Sequence, residues 1–398
     1  MKKYLILAAA AALTMVSCAK FETYTVSEND GQIPIAFSNY SPKSLVKAGD
    51  TYVPSTTLIN GKQFAVYGWN TAYGSFLGVN PGTPGFMNPA VVTYNNDNTT
   101  GENNTYTPVR YWPAGDEPEN LSFVAYYPYG GAGITAPTFA TGVGTYAFTA
   151  QGAAADMVDF CVSDVVNDQV YGSTNTAYDG TVNMPFKHQL AKIQFKFKKA
   201  SDVAATTVIE LIDAKLQDIK TTGTLTATYA QNASPAVNAL GTTSTAWSSV
   251  ATPAAYEIFV NEKDVTSDAA NKVVLTTSAT SVADSEIFLM IPQDMVDKAG
   301  SDPQKLQVKW NVKVYDTEAH ATANGAEGLI STTENTKTLY FKNDLKTTDD
   351  PSTAVAKELD WAKNNFITYT ITIGPKPIWF TATVDAWDAE EIGYFNVN

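Results

Sequence analysis

Met184-Pro185-Phe186-Lys187-His188-Gln189-Leu190-Ala191-Lys192-Ile193-Gln194-Phe195-Lys196-Phe197 alternates apolar and polar residues with a period of two through its second half. Ile193, Phe195 and Phe197 share one face, and Lys192, Lys196 and Lys198 are expected on the solvated one. The stretch therefore reads as a strand with one buried side. The same character recurs at 33–38, 63–69, 121–127, 207–211, 272–276, 286–291, 306–315, 338–341, 366–373 and 378–384. Clusters of Gly, Asn, Pro and Asp separate these runs and supply turns. An all-β chain of packed antiparallel sheets follows. Helix is expected at 353–364, with a turn or so at 294–299.

Residues 167–179 are polar, small and linker-like, so a domain boundary is drawn near residue 180. The expected division is a signal peptide over 1–17, a segment with the first strand over 18–47, and packed-sheet domains over 48–180 and 181–377. A strand appendage over 378–398 completes it.

The 398 residues carry 26 Lys and Arg against 40 Asp and Glu, a formal charge of -14. Such a surface repels phosphate, which excludes a nucleic-acid partner. Two His, His188 and His320, and two Cys, Cys18 and Cys161, leave little for a metal centre or a disulfide framework. No metal and no cofactor are expected. Arg110 is the only arginine.

Lys2 and Lys3 precede the apolar run from Leu5 to Val16, which is shorter than the roughly 20 residues of a membrane-spanning helix. This is an export signal. Its junction, Met15-Val16-Ser17-Cys18, resembles a bacterial lipobox, which implies lipidation of Cys18 and acyl chains, palmitate among them, that tether the chain to the outer membrane. Cys161 then lacks a partner and is expected to pack as a small hydrophobe.

Five stretches resemble the fimbrillin family, the shaft and tip subunits of type V pili of Bacteroidales. They are the lipobox with Ile33-Pro34-Ile35-Ala36-Phe37, then Tyr106-Thr107-Pro108-Val109-Arg110-Tyr111-Trp112-Pro113 with Phe123 to Pro128. Phe186 to Ile193 and Met290-Ile291-Pro292-Gln293 come next, and Phe366 to Ile373 leads to Val384-Asp385-Ala386-Trp387. The resemblance implies two tandem transthyretin-like β-sandwiches in a lipoprotein precursor, other pilus subunits as partners, adhesion to a host or bacterial surface ligand, and a place on the outer membrane and in the fimbrium. It also implies assembly by strand exchange: a protease cuts after the first strand, that strand leaves, and C-terminal strands of a neighbouring subunit fill the groove.

The residues can be tested against that scheme. Ile33, Ile35 and Phe37 alternate on one face as a released strand requires, and Pro34, without an N–H, favours an edge or first-strand position. A permanent first strand would show the same alternation. The polar segment 39–52 suits protease entry but holds no Arg, where well-known members of the family are cut; Lys47 is the expected site, with Lys43 second. Ile378, Phe380 and Val384 alternate as a donor strand would, and Ile392 and Tyr394 lie in a second short strand at the carboxyl end. The alternative is that 378–384 closes its own sandwich.

No nucleophile elbow, metalloprotease, phosphate-loop or dinucleotide motif is present, and no pair of carboxylates stands out. His188 is expected as a structural group and His320 in a surface loop. The aromatic residues of the N-terminal half are assigned to the core rather than to a sugar platform. The reading is a non-enzymatic pilus subunit; the competing one is a monomeric surface lipoprotein that binds glycans.

Overall fold

The computed structural model describes residues 33–38, 61–71, 84–95, 103–113, 120–169, 180–230, 241–260, 273–278, 280–281, 287–348, 355–374 and 379–387. Strands dominate, in four sheets. A two-stranded sheet joins β1 (Ala36–Ser38) and β9 (Thr181–Asn183) in parallel. A second runs β10 (Phe186–His188), β7 (Cys161–Ser163), β4 (Asn120–Tyr127), β2 (Gln63–Thr71), β3 (Met87–Thr93), with β8 (Val166–Gln169) also on β4. A third runs β15 (Thr280–Ser281), β11 (Ala191–Lys199), β20 (Asn365–Ile373), β21 (Trp379–Ala386), β19 (Leu345–Lys346), with β16 (Phe288–Met290) on β11. The fourth runs β18 (Leu329–Tyr340), β17 (Lys305–Tyr315), β12 (Thr207–Ala230), β6 (Val143–Thr149), β5 (Thr138–Ala140), and β13 (Thr242–Val260) and β14 (Val273–Val274) also pair with β12. Most pairings are antiparallel, and β1 with β9, β11 with β20 and β19 with β21 are parallel.

The all-β expectation holds, and the packing shows why. β4 is buried along its whole length because both of its faces are covered. Leu121, Phe123 and Ala125 join Phe64, Val66, Ile35 and Phe37 in one core. Val124 and Tyr126, with Tyr67 and Trp69 of β2, pack instead on Tyr146, Phe148, Leu225 and Tyr229 of the fourth sheet. A third core lies between the other half of the fourth sheet and the third, around Ile193, Phe195, Phe197, Leu216, Trp310, Phe341, Trp361 and Tyr369.

β12 is the strand common to two of these cores. At 24 residues it far exceeds the five recognised from its alternation, 207–211. Its inward row changes parity: Ile209 and Leu211, then Ala214 and Leu216, then Ile219, Leu225 and Tyr229. Register shifts at Leu211/Asp213 and Leu216/Ile219 mark β-bulges, each of which moves the apolar row by one position. A strict period of two therefore loses the strand at its first bulge.

Several expectations are corrected. No helix forms in the described part of 353–364: residues 355–362 are extended and bridge Lys346 and Gln293, and 363–364 form a turn. The segment's residues have good helix propensity, but extended backbone places Trp361 in the core, where Nε1 donates to the Tyr369 hydroxyl at 2.9 Å. Around 294–299 there is only a turn, closed by Gly300 N–H to Asp297 O. His320 lies not in a loop but in α1 (Glu318–Ala323), capped by the Thr317 hydroxyl; a second short helix, α2 (Phe341–Asp344), follows β18. Lys192 is buried rather than solvated, 4.3 Å from the Phe366 ring centroid. Asn167, Asp168 and Gln169 open the supposed linker yet are buried in β8.

Buried phenols between the second and fourth sheets add a pH dependence. Burial pushes Tyr67, Tyr126, Tyr146 and Tyr229 up, Tyr126 to about 12 from an ordinary 10.0; neighbouring phenols add to the rise at Tyr67, Tyr126 and Tyr146, while the bond to Tyr146 offsets part of it at Tyr229. An unfolded phenol ionises first, so this stability is complete below pH 10 and is lost as pH rises through the folded values. Thermal melts are expected to hold level from neutral pH towards pH 10 and then fall, with a further rise in tyrosinate absorbance, from the buried phenols, accompanying unfolding.

Candidate functional site

The first strand lies in a slot between two segments. Ile35 N–H donates to Arg110 O at 2.9 Å, and Trp112 N–H to Ile33 O at 2.9 Å. On the opposite side Ala36 N–H donates to Gly180 O at 3.1 Å and Met184 N–H to Ser38 O at 2.7 Å. The Tyr106 hydroxyl donates to Ile35 O at 2.8 Å, and Asn104 Nδ2 to Phe37 O at 3.0 Å. The segment is thus bonded on both sides, and Pro34 stands at the head of the first strand, just ahead of β1. The Pro34–Tyr111 bridge is made through the flanking Ile33 and Ile35, so proline's missing N–H is not required there. Gly180, at φ +89°, lies against this strand, and a Cβ there would meet Pro34 O at 2.7 Å.

Ile35 and Phe37 are buried, and Ile33 packs at the margin of the same core. The Phe37 ring meets Phe123 edge-on at 5.4 Å and Tyr106 at 5.6 Å. The structure thus brings the three residues together as read from their alternation. Their floor, Trp112, Val182 and Met184, was not identified from sequence; the aromatic run around Trp112 was the available signal.

The other expected site residues lie apart. Phe380 is buried in the third-sheet core, against Phe341 and Tyr369 at ring separations of 5.8 and 6.0 Å. β21 pairs with β20 from Trp379 to Ala386, so in this structure it closes its own sandwich and is not a free tail. Val384, on the same row, is exposed. Cys18, Lys47, Ile378, Ile392 and Tyr394 fall outside the described residues.

Residues 186–192 form a joint. Phe186 and His188 belong to β10, while Ala191 and Lys192 begin β11 of the third sheet. Lys187 pairs with the buried Asp164 at 2.9 Å, and Gln189 O accepts from Trp247 Nε1 at 2.9 Å. His188 Nδ1 stands 2.8 Å from Asp159, and its ring stacks on Trp387 at 4.0 Å. Trp387 N–H donates to Asn364 O, and Asn364 N–H to Leu190 O, both at 2.9 Å.

Residues 51–387 match the family described as fimbrillin-like. The chain belongs to this family.

Among solved structures, this fimbrillin-like chain is similar to a fimbrial protein from Bacteroides vulgatus, with a TM-score of 0.55, 19% identity, and coverage of 89% of this chain and 99% of that one. A putative cell adhesion protein from Bacteroides uniformis matches at a TM-score of 0.44 and 16% identity, over 91% and 100% of the two chains. The tip fimbrial protein Mfa3 from Porphyromonas gingivalis, with C-terminal truncation, matches at 0.34 and 9%, over 82% and 95%. The first likeness supports the fold. No curated protein sequence matches.

The fimbrillin-like stretches quoted from the sequence now have positions. Tyr106 to Pro113 forms one wall of the slot, Phe186 to Ile193 the joint, and Val384 to Trp387 the strand end that docks on it. Gln293, last of the Met290 stretch, accepts from Lys220 N–H at 3.1 Å and exchanges backbone bonds with Trp361 at 3.0 Å.

Of the described residues, Asp159, Cys161 and His188 could hold a metal, with donor atoms within 4.8 Å of one another. Their contacts are already closed on each other: the Cys161 thiol points at Asp159, 3.2 Å away, and burial, then the Asp159 carboxylate, pushes that thiol well above its usual range. Such a Cys is a poor nucleophile. The aromatic residues assigned to the core are mostly there: Trp112, Tyr126 and Tyr127 are buried, Tyr106 and Tyr111 are half-buried, and Tyr129 is exposed.

Proposed function

We propose that this chain is a structural subunit of a cell-surface type V pilus that serves adhesion, without catalysis. It is exported as a lipoprotein through Cys18, cut after Lys47, and assembled by replacing its first strand with a strand from a neighbouring subunit. The family and the fimbrial fold support the role of pilus subunit and a place in a surface fimbrium. The observation that carries the exchange step is the slot. A short segment fills a core with Ile35 and Phe37 while its backbone bonds to both walls. Another strand with the same alternation would restore those backbone bonds, because main-chain pairing is independent of side-chain identity. Burial of Ile35 and Phe37 stabilises the seated strand by about 1.5–3 kcal/mol each, and the half-buried Ile33 adds less, which resists spontaneous loss before the cut.

Because β21 is built into the third sheet, the donor in this scheme is the segment beyond Trp387, with Ile392 and Tyr394 as its inward residues, or β21 after it has opened. Deleting residues 392–398 is expected to leave a folded monomer that does not extend a fibre; ladders on native gels would assign the donor elsewhere.

Limited digestion of the full-length protein with a Lys-specific protease is the main test. A new N-terminus at Ala48 and fibres by electron microscopy are expected. A surface-extracted protein whose only N-terminus is lipidated Cys18 would overturn processing at Lys47. A trimmed protein that stays monomeric would favour the glycan-binding lipoprotein.

A further inference from the structure

Glu210, Lys313 and Asn324 meet at one end of the fourth sheet, away from both the slot and the joint. Glu210 and Lys313 lie on the adjacent strands β12 and β17, with side chains 4% and 11% exposed. Asn324 terminates α1 in the left-handed conformation, at φ 49° and ψ 33°. Glu210 Oε1 accepts from Lys313 Nζ at 2.7 Å and from Asn324 Nδ2 at 2.8 Å. Lys313 Nζ also stands 3.4 Å from Asn324 Oδ1, and the Tyr315 hydroxyl donates to that oxygen at 2.9 Å.

An amine, a carboxamide, a carboxylate that touches both nitrogens, and a hydroxyl on the amide oxygen together make up the parts of an amide-transfer reaction. We infer that Lys313 and Asn324 become joined by an intramolecular amide bond, with Glu210 carrying protons from the attacking nitrogen to the departing one. The Lys313 ammonium gives a proton to Glu210 and becomes a nucleophile. Its Nζ lone pair attacks Asn324 Cγ, and the displaced carbonyl electrons rest on Oδ1, held by the Tyr315 hydroxyl. Nδ2 takes the proton from Glu210, the Cγ–Nδ2 bond breaks, and the carbonyl re-forms. One of the two protons still on Nζ leaves through Glu210 to the departing nitrogen and the other stays as the amide N–H, so nitrogen departs as ammonium and Glu210 is again a carboxylate. The step needs no oxidant and no added reactant. Removal of the groups from bulk water and their fixed separation favour it, as intramolecular reactions of positioned partners are fast.

Mass spectrometry of the purified full-length protein, intact and after denaturation and trypsin, tests this. The expected wild-type mass is lower than the sequence mass by one ammonia. Trypsin should leave Trp310 to Lys337 as one undivided peptide, because the modified Lys313 is no longer a cleavage site. Lys313→Arg, which keeps the charge, and Glu210→Gln should both restore the full mass. A wild-type protein of full mass with normal cleavage after Lys313 overturns the inference. Loss of ammonia with normal cleavage after Lys313 also overturns it, since Asn324-Gly325 can lose ammonia alone as a succinimide.

Discussion

Phe37→Ala is expected to lower the unfolding free energy of the unprocessed chain by about 3–5 kcal/mol, the usual cost of removing a buried phenylalanine ring. Phe37 is 2% exposed, packs on Phe123 and Tyr106, and ends a segment that few other side chains hold in the core. The backbone around Phe37 is held by the bonds of Ile33, Ile35 and Ala36 to Arg110, Trp112 and Gly180, which oppose its collapse into the vacated space. The effect should concentrate in the first core. Hydrogen exchange of β2 and β4 should quicken by far more than that of β20, and a peptide copying the first strand should then bind the variant in trans. Equal acceleration in β20 would show that the slot is not a separately opening unit.

Trp387→Ala is expected to cost a similar amount, about 3–5 kcal/mol, through a different failure. The indole stacks on His188 and stands 6.0 Å from Lys192 Nζ. Without it, buried Lys192 keeps only the Phe366 ring among the cation–π partners described, and the His188–Asp159 pair gains access to water. Chemical denaturation should report the loss, and proteolysis should reach β21 first. Under the strand-exchange reading, the same change frees the donor segment from its base and alters the rate of fibre growth more than the final length of the fibres.

How far these features could be read from sequence depended on how regular each one was. Ile35 and Phe37, and Ile193 to Phe197, follow an uninterrupted period of two and stand where their alternation put them. β12 and β13 escaped because bulges shift the register, and β13 is rich in exposed Thr and Ser with little alternation to detect. Residues 355–362 misled by composition, since Ala, Lys, Glu and Leu favour helix while the demand for Trp361 in the core imposed extended backbone. Lys192 misled by charge, because an amine over an aromatic ring tolerates burial that an isolated one would not. Of the slot, the occupant was legible and the walls were not, since one wall pairs with it across some seventy residues of sequence and the other across about twice as many, not by a local pattern.

β12 also decides how the subunit answers to a pull. Its 24 residues, about 80 Å at roughly 3.3 Å per residue, run unbroken from the core beside the third sheet to the core beside the second. Between those cores, at 218–221, neither β17 nor β6 reaches β12, and a hinge there would have to bend it against its pairing with β13 and the bonds of the Gln293 side chain to Lys220. Tension along that axis falls on many hydrogen bonds at once, in shear, and cannot peel them one by one. A fibre built from such units would stretch at its joints between subunits before it stretched within them.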